Sequence, residues 1–408
     1  MKTKILSFNV VKFYPLTTLA TSLLTMLLSM AAIFAVTMIP VNSWARPEYA
    51  LKTAASQCTV CHVNPYGGGL RTVYGKIYGA KGLNGISPFS NSDTFSADIR
   101  ALGYSPRNPD VKTSGFTMMD VTAGMNIPLN QDDSGVQSRM VMTYGFGELF
   151  AGLKDTFLLF KTTEQGNLLI GKFIKPFGLL TDEHRTYTKM QTNSSIQDYE
   201  YGMGVAHDFE TLHMDATYTD DSRSKTLANE PVITSLLNFR WTPVMAPVML
   251  GGSVMTNERQ DTADSSAASL YGGLSFDRWT DSKIPVTYLI EVVQANGWNQ
   301  QVNKIDFFGV DTAFKDAVKY SESLGTYMQL TYDIVQRFTL MAKYDQLVFD
   351  KSYKADAFNR YGIGGNYTLN ANSVLMVRYE IADSGYRTLD KSQKFTMNSL
   401  YFVIKAGF

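Results

Sequence analysis

The chain has 408 residues, 45% of them hydrophobic, and its 37 basic and 37 acidic side chains cancel. That balance removes any electrostatic case for nucleic-acid binding, and two cysteines are too few for a disulfide scaffold. Length alone suggests two or three domains, but a large β-barrel runs longer as one unit, and the 23 Tyr, 24 Phe and 31 Gly suit one.

The N-terminus reads as a targeting segment. Lys2, Lys4 and Lys12 precede an apolar run from Leu16 to Ile39, followed by Pro40 and the small-x-small site Ser43-Trp44-Ala45. This pattern predicts a signal peptide over residues 1–45, cleaved after Ala45. An uncleaved anchor is the alternative, since the run is long enough to span a bilayer. Either way the remainder leaves the cytoplasm.

Cys58-Thr59-Val60-Cys61-His62 is C-x-x-C-H, the attachment signature of a c-type haem. The chemistry dictates the spacing. Two thiols add to the vinyl groups of the porphyrin, and the next residue supplies the proximal imidazole. The motif therefore predicts one haem c, attached through Cys58 and Cys61 with His62 on the iron. A zinc site would need a second ligand pair, and a thioredoxin-like dithiol would need a βαβ context. Both cysteines of the chain fall inside the motif.

Gly67-Gly68-Gly69 follows, permitting unusual backbone angles and close approach to a flat ligand. Arg71 is a candidate partner for a haem propionate, and Tyr66 and Tyr74 are candidates to pack on the ring. An ordinary glycine loop with a surface arginine reads equally well. No Met or His lies between His62 and Met118, and the remaining histidines are His184, His207 and His213. The iron is then five-coordinate, or its distal ligand comes from the rest of the chain. The segment 46–92 is short for an independent fold and needs the haem and a neighbour to support it.

From about Phe95 to the C-terminus, segments of about ten residues alternate apolar with polar or small side chains, the length of tilted transmembrane strands. Leu375, Val377, Tyr379 and Ile381 alternate with Met376, Arg378 and Glu380; Phe338, Leu340, Ala342 and Tyr344 alternate with Lys343 and Asp345. A β-sandwich alternates too, but rarely places so many large aromatics at strand ends. The predicted strand Tyr199–Phe209 turns Glu200, Gly202, Gly204, Ala206 and Asp208 to one face, which leaves room inside. In the next strand His213, Asp215 and Thr217 share the inner face, so His213 is the candidate distal ligand; His207 points outward and His184 falls in a far loop.

Long polar loops are expected near 176–198, 220–230, 257–266, 297–323, 350–358 and 383–395. Short links fall near Glu210, Pro243, Gln336 and Asn370, with less distinct ones at Glu164 and Asp281. This yields about fifteen strands from Gly115. Both ends in the periplasm require an even number, and Phe95–Leu102 supplies the missing strand. The fold class is therefore all-β, a transmembrane antiparallel barrel of about sixteen strands over 93–408, with fourteen as the alternative count, and with the small N-terminal haem segment as the natural plug of its lumen. The long loop 175–198 is expected to fold inward at the mouth.

The last strand, with Leu400, Phe402, Ile404, Ala406 and the terminal Phe408 in register, resembles the C-terminal signal of bacterial outer-membrane barrels. The order of parts, together with Pro47-Glu48-Tyr49-Ala50, Cys58 to His62, Pro65 and Tyr74-Gly75, resembles the fused monohaem cytochrome–porins of iron-oxidising bacteria. The chain departs from that pattern after the motif, where Pro65 sits closer to His62 and the glycine run is extra. The resemblance implies an outer-membrane electron conduit between an extracellular redox partner, typically ferrous iron, and a periplasmic electron-carrier cytochrome. It implies electron transfer rather than conventional enzyme catalysis. The alternative is a solute porin whose cytochrome segment docks a partner or gates the channel; a peroxidase-like open haem site lacks an acid–base pair near the motif.

Overall fold

The computed structural model describes residues 51, 57–67, 70–80, 94–107, 114–132, 135–146, 151–181, 186–192, 194–195, 198–220, 232–243, 246–259, 264–279, 284–297, 322–335, 337–348, 357–370, 373–387 and 392–407. The expected signal peptide, His184 and Phe408 lie outside them.

Sixteen strands form one closed barrel. They are β1 (Phe95–Arg107), β2 (Gly115–Asp132), β3 (Gly135–Phe146), β4 (Ala151–Lys161), β5 (Gly166–Ile174), β6 (Tyr199–Phe209), β7 (Leu212–Asp220) and β8 (Val232–Trp241). Then follow β9 (Val248–Arg259), β10 (Ser265–Ser275), β11 (Val286–Asn296), β12 (Glu322–Val335), β13 (Phe338–Val348), β14 (Ala357–Asn370), β15 (Ser373–Arg387) and β16 (Ser392–Gly407). Each pairs antiparallel with its chain neighbours, and β1 closes on β16 with Asp98 opposite Gly407 and Arg100 opposite Lys405. Closure leaves no unpaired sheet edge, the condition for crossing hydrocarbon with strands.

Period-two patterning is what turns these sequences into a barrel wall. On β6, Glu200, Gly204, Ala206 and Asp208 are buried while Tyr201, Met203, Val205 and Phe209 are exposed outward. Aromatics gather at both ends of the outer face: Phe95, Phe209, Trp241 and Tyr332 at one, Phe116, Phe146, Tyr201, Tyr218 and Tyr361 at the other. These are the two interfacial girdles of an outer-membrane barrel. The end with the short turns, the start of β1 and the end of β16 is the periplasmic one.

The strand Phe95–Leu102 exists and extends to Arg107 as β1. The expected long loop at 383–395 is instead the upper part of a hairpin, with Arg387 paired to Ser392. Polar residues do not end a strand where the barrel projects beyond the lipid. Phe402 and Ile404 face outward, as the terminal pattern predicts.

Inside the barrel lie two further elements. The residues around the C-x-x-C-H motif end in helix α1 (Val73–Ala80). The connection from β5 to β6 turns inward and carries the helical turn α2 (Tyr187–Met190).

Candidate functional site

The motif begins as a 3-10 turn over Cys58–Val60, in which the amides of Cys61 and His62 both donate to the Cys58 carbonyl, at 3.1 and 2.9 Å. The chain then reverses and pairs with itself. Val63 donates to the Leu70 carbonyl at 2.9 Å, His62 bridges Arg71, and Thr72 donates to the Cys61 carbonyl at 3.1 Å. The Thr72 hydroxyl donates to the Val60 carbonyl at 2.8 Å and accepts the Gly75 amide at 3.1 Å, which starts α1. Two glycines make this compact. Gly67 sits at φ +87°, beside Cys58 Sγ, and a Cβ on Gly75 would stand 2.1 Å from the Cys61 carbonyl oxygen.

Both cysteines are free thiols and half-buried. Burial pushes the Cys61 thiol up, Cys58 adds to this, and Arg71 opposes it. Two thiols three residues apart on one turn, with a histidine next and Arg71 bridged to it, form a donor set that fits a c-type haem.

This segment is seated against the lumen wall. Val63, Tyr66 and Leu70 are buried in one apolar cluster with Val141, Phe157, Leu159, Leu169, Phe173 and Ala206 of β3 to β6. Tyr66 packs on Phe173 with ring centroids 5.5 Å apart, and its hydroxyl lies over Gly204, where a Cβ would approach to 1.9 Å. The small inner face of β6 is thus the room that Tyr66 fills. Tyr74, by contrast, is exposed. The Asn64 side-chain amide donates to Asp155 at 3.4 Å, and the Arg240 guanidinium donates to Cys58 Sγ at 3.2 Å. Lys76 reaches the Phe95 carbonyl at 2.7 Å, tying α1 to the start of β1.

His213 lies on the inner face of β7 with Asp215 and Thr217, and its register partner on β8 is Arg240, the residue that touches Cys58. Its ring is held between two carboxylates: Nδ1 is 2.6 Å from Asp208 and Nε2 is 2.8 Å from Asp215. Binding iron would require one nitrogen to leave its carboxylate. His207 packs against Phe209 with the rings tilted by 52° and their centroids 4.2 Å apart, near the periplasmic end of β6.

The β5–β6 connection crosses the lumen and is fastened to the far wall. Glu291 of β11 accepts from the Leu179 amide at 2.8 Å, the Thr188 hydroxyl at 2.9 Å, Lys189 at 2.7 Å and Ser269 at 2.9 Å. Asp345 of β13 accepts the Tyr187 amide at 3.0 Å and pairs with Arg360. Ser323 donates to Gln191 at 2.8 Å, and Ser253 accepts the Gly178 amide at 2.8 Å. Phe177 is buried among Leu236, Met255, Ala267, Val293 and Ala295. Burial pulls the Lys189 amine down, and Glu291 opposes this. The inward fold expected of this loop is therefore present, and its wall anchors are inner-face charges that period-two reading of β11 and β13 identifies only once the loop is known to cross.

The chain matches no known family profile and no curated protein sequence. Its fold is that of solved outer-membrane proteins. A loop-deletion mutant of OmpT of Vibrio cholerae superposes with a TM-score of 0.52 at 12% identity, covering 77% of this chain and 98% of that one. The outer membrane channel DcaP of Acinetobacter baumannii gives 0.53 at 11%, covering 77% and 96%. An anion-selective porin from Comamonas acidovorans gives 0.53 at 8%, covering 77% and 99%. The likeness is one of fold: this is a porin-like sixteen-stranded barrel of the bacterial outer membrane.

Proposed function

We propose that this barrel is an outer-membrane electron conduit, a cytochrome–porin fusion that passes electrons between an extracellular redox partner and a periplasmic electron-carrier cytochrome. The observation that carries the reading is the position of the C-x-x-C-H turn inside the barrel, with Cys58 against the lumen residue Arg240. An apolar band about 25 Å tall is too thick for efficient electron transfer without a redox centre within it. In this reading Cys58 and Cys61 hold one haem c by thioether bonds, His62 is the proximal ligand and Arg71 pairs with a propionate. When bound, the haem supplies a one-electron iron couple. The chain's own residues seat and shield it. Tyr66, Val63 and Leu70 fix the segment to the wall, and the β5–β6 connection, latched by Glu291 and Asp345, fills part of the lumen.

The test is electron passage across a sealed membrane. Liposomes holding the haem-loaded protein and an encapsulated reduced dye should lose the dye's colour when an impermeant oxidant is added outside. The Cys58→Ala/Cys61→Ala protein should insert, carry no covalent haem on denaturing gels and pass no electrons. Equal dye oxidation by that variant would overturn the reading.

The shared fold favours a second reading, a solute porin with a cytochrome docking or gating module. Rapid swelling of proteoliposomes in a disaccharide, without electron passage, would select it.

A further inference from the structure

Two groups from distant parts of the chain approach the Sγ of Cys58. Gly67, at φ +87°, lies so close that a Cβ there would stand 3.3 Å from the sulfur. From the wall, the Arg240 guanidinium donates to the same sulfur at 3.2 Å. Neighbouring strands hold Arg240 in place. Its register partner on β9 is Gly251, and the missing side chain there admits the Tyr271 ring, which a Cβ would meet at 2.2 Å. The Tyr271 hydroxyl is within hydrogen-bond distance of the Phe239 carbonyl, at 3.1 Å, and of Asn238, at 3.0 Å. The two residues before Arg240 are thereby fixed from β10.

Asp215, whose field reaches Arg240, has both carboxylate oxygens engaged by other groups. Oδ1 lies 2.8 Å from His213 Nε2, and Oδ2 accepts the Asn238 amide at 2.7 Å. Asp208 lies 2.6 Å from the other ring nitrogen of His213. A ring with a carboxylate on each nitrogen is an imidazolium, so His213 offsets one of the two acids. Ser253 donates to Asn238 at 2.8 Å and accepts the Gly178 amide at 2.8 Å, which joins this network to the β5–β6 connection. The acids are held by their own partners, and the guanidinium stays against the sulfur.

We propose that Arg240 raises the reduction potential of the haem carried on Cys58, so that the barrel wall sets how strongly the iron holds its electron. The inference rests on the conduit reading. The step is a one-electron transfer in which no bond forms or breaks: the electron enters from one redox partner, leaves to the other, and the charge of the site falls by one while it stays. In a c-type haem the Cys58 sulfur is bonded to the porphyrin edge. A cation in contact with that sulfur repels the extra positive charge of the ferric form and so favours the ferrous form. Arg240 is partly shielded from water, which strengthens its field over that of a surface arginine. Asp215 acts in the opposite sense. A segment displaced from the wall loses the cation, and its haem then gives up the electron more readily.

The experiment is an optical redox titration of the full haem-loaded protein in detergent with soluble mediators. At the wild-type midpoint, Arg240→Gln should lower the ferrous-to-ferric ratio by about fivefold or more; a tenfold change is about 59 mV for one electron. Arg240→Lys keeps the charge without the planar fork and should stay nearer the wild type than Arg240→Gln. Asp215→Asn removes a negative charge and should raise the ratio, with Asp208 still holding the His213 ring. The opposite signs separate charge from loosening, because a loosened segment admits water and lowers the ratio in either variant. If Asp215→Asn fails to fold, Arg240→Lys carries that separation. A ratio indifferent to Arg240→Gln, an equal fall in Arg240→Lys, or a fall in Asp215→Asn would each overturn the inference and leave the conduit reading standing. A wild type that retains no haem on denaturing gels would overturn the conduit reading, and the inference with it.

Discussion

Arg240 of β8 donates a hydrogen bond to the Sγ of Cys58 at 3.2 Å, so a fixed residue of the barrel wall meets the first cysteine of the C-x-x-C-H motif across 182 positions of sequence. Arg240 also lies in the field of Asp215, and Asp215 in turn contacts His213. The motif segment is thereby tied to the β7–β8 wall as well as to the apolar seat on β3 to β6.

Arg240→Met should keep the barrel closed while loosening the motif segment, since a lost charge-assisted contact costs about 1.5–3 kcal/mol. Limited proteolysis in detergent reads this directly. Cleavage between residues 57 and 76 should quicken in the variant, with the strand core unaffected. Unchanged cleavage would remove Arg240 from the docking of the segment.

The barrel was legible because its wall separates lipid from a polar lumen, and that contrast imprints period two on every strand. It also separates long loops from short links, which is why the count of sixteen and the place of β1 follow from Phe95–Leu102. The link near Asp281 is less distinct because a helical turn, Phe276–Trp279, follows β10 before the chain returns. The motif is legible because its chemistry is local. Its seat is not: the partners of Cys58, Asn64 and Tyr66 are Arg240, Asp155 and Gly204, brought together by barrel closure and by no nearby pattern. The glycines of β6 signalled space, and Tyr66 is what fills it.

Gly204→Ala should displace the segment, because the added Cβ would stand 1.9 Å from the Tyr66 hydroxyl oxygen and 3.1 Å from its ring carbon. Overpacking of this kind costs about 1–3 kcal/mol. Tyr66→Ala in the same chain should relieve the clash. Tyr66→Phe in an otherwise wild-type chain should dock normally, since the buried hydroxyl makes no hydrogen bond. Protease protection of the segment, compared across the four proteins, tests the contact. Equal protection of Gly204→Ala and wild type would sink it.

The latch of the β5–β6 connection converges on Glu291. Glu291→Gln removes the charge that Lys189 faces and leaves a buried ammonium without its counter-ion, a loss of about 3–5 kcal/mol for a broken buried pair. The connection should leave the wall, and bilayer conductance should rise with more frequent current fluctuations. Lys189→Met/Glu291→Gln removes the uncompensated charge but keeps an acceptor for the Leu179 amide and the Thr188 hydroxyl, and should restore a quieter current. A Glu291→Gln protein with wild-type conductance would show that the loop stays in place without the ion pair.

His213 is the candidate distal ligand of the proposed haem. Its ring faces the lumen one strand from Arg240, near enough in the barrel to the motif to be a ligand candidate, yet Asp208 and Asp215 engage both nitrogens at 2.6 and 2.8 Å. To reach iron the ring must release one carboxylate, giving up a charge-assisted hydrogen bond of about 1.5–3 kcal/mol. Release of Asp215 would leave that buried acid with Asn238, which donates to it at 2.7 Å. The arrangement favours a structural role. His213→Ala should leave the Soret band and spin state of the haem-loaded protein unchanged. It should lower resistance to urea, because Asp208 and Asp215 would face a site with no cation between them. Conversion of a low-spin to a high-spin ferric spectrum in His213→Ala would instead identify His213 as the distal ligand and show that the carboxylate clamp opens when haem is bound.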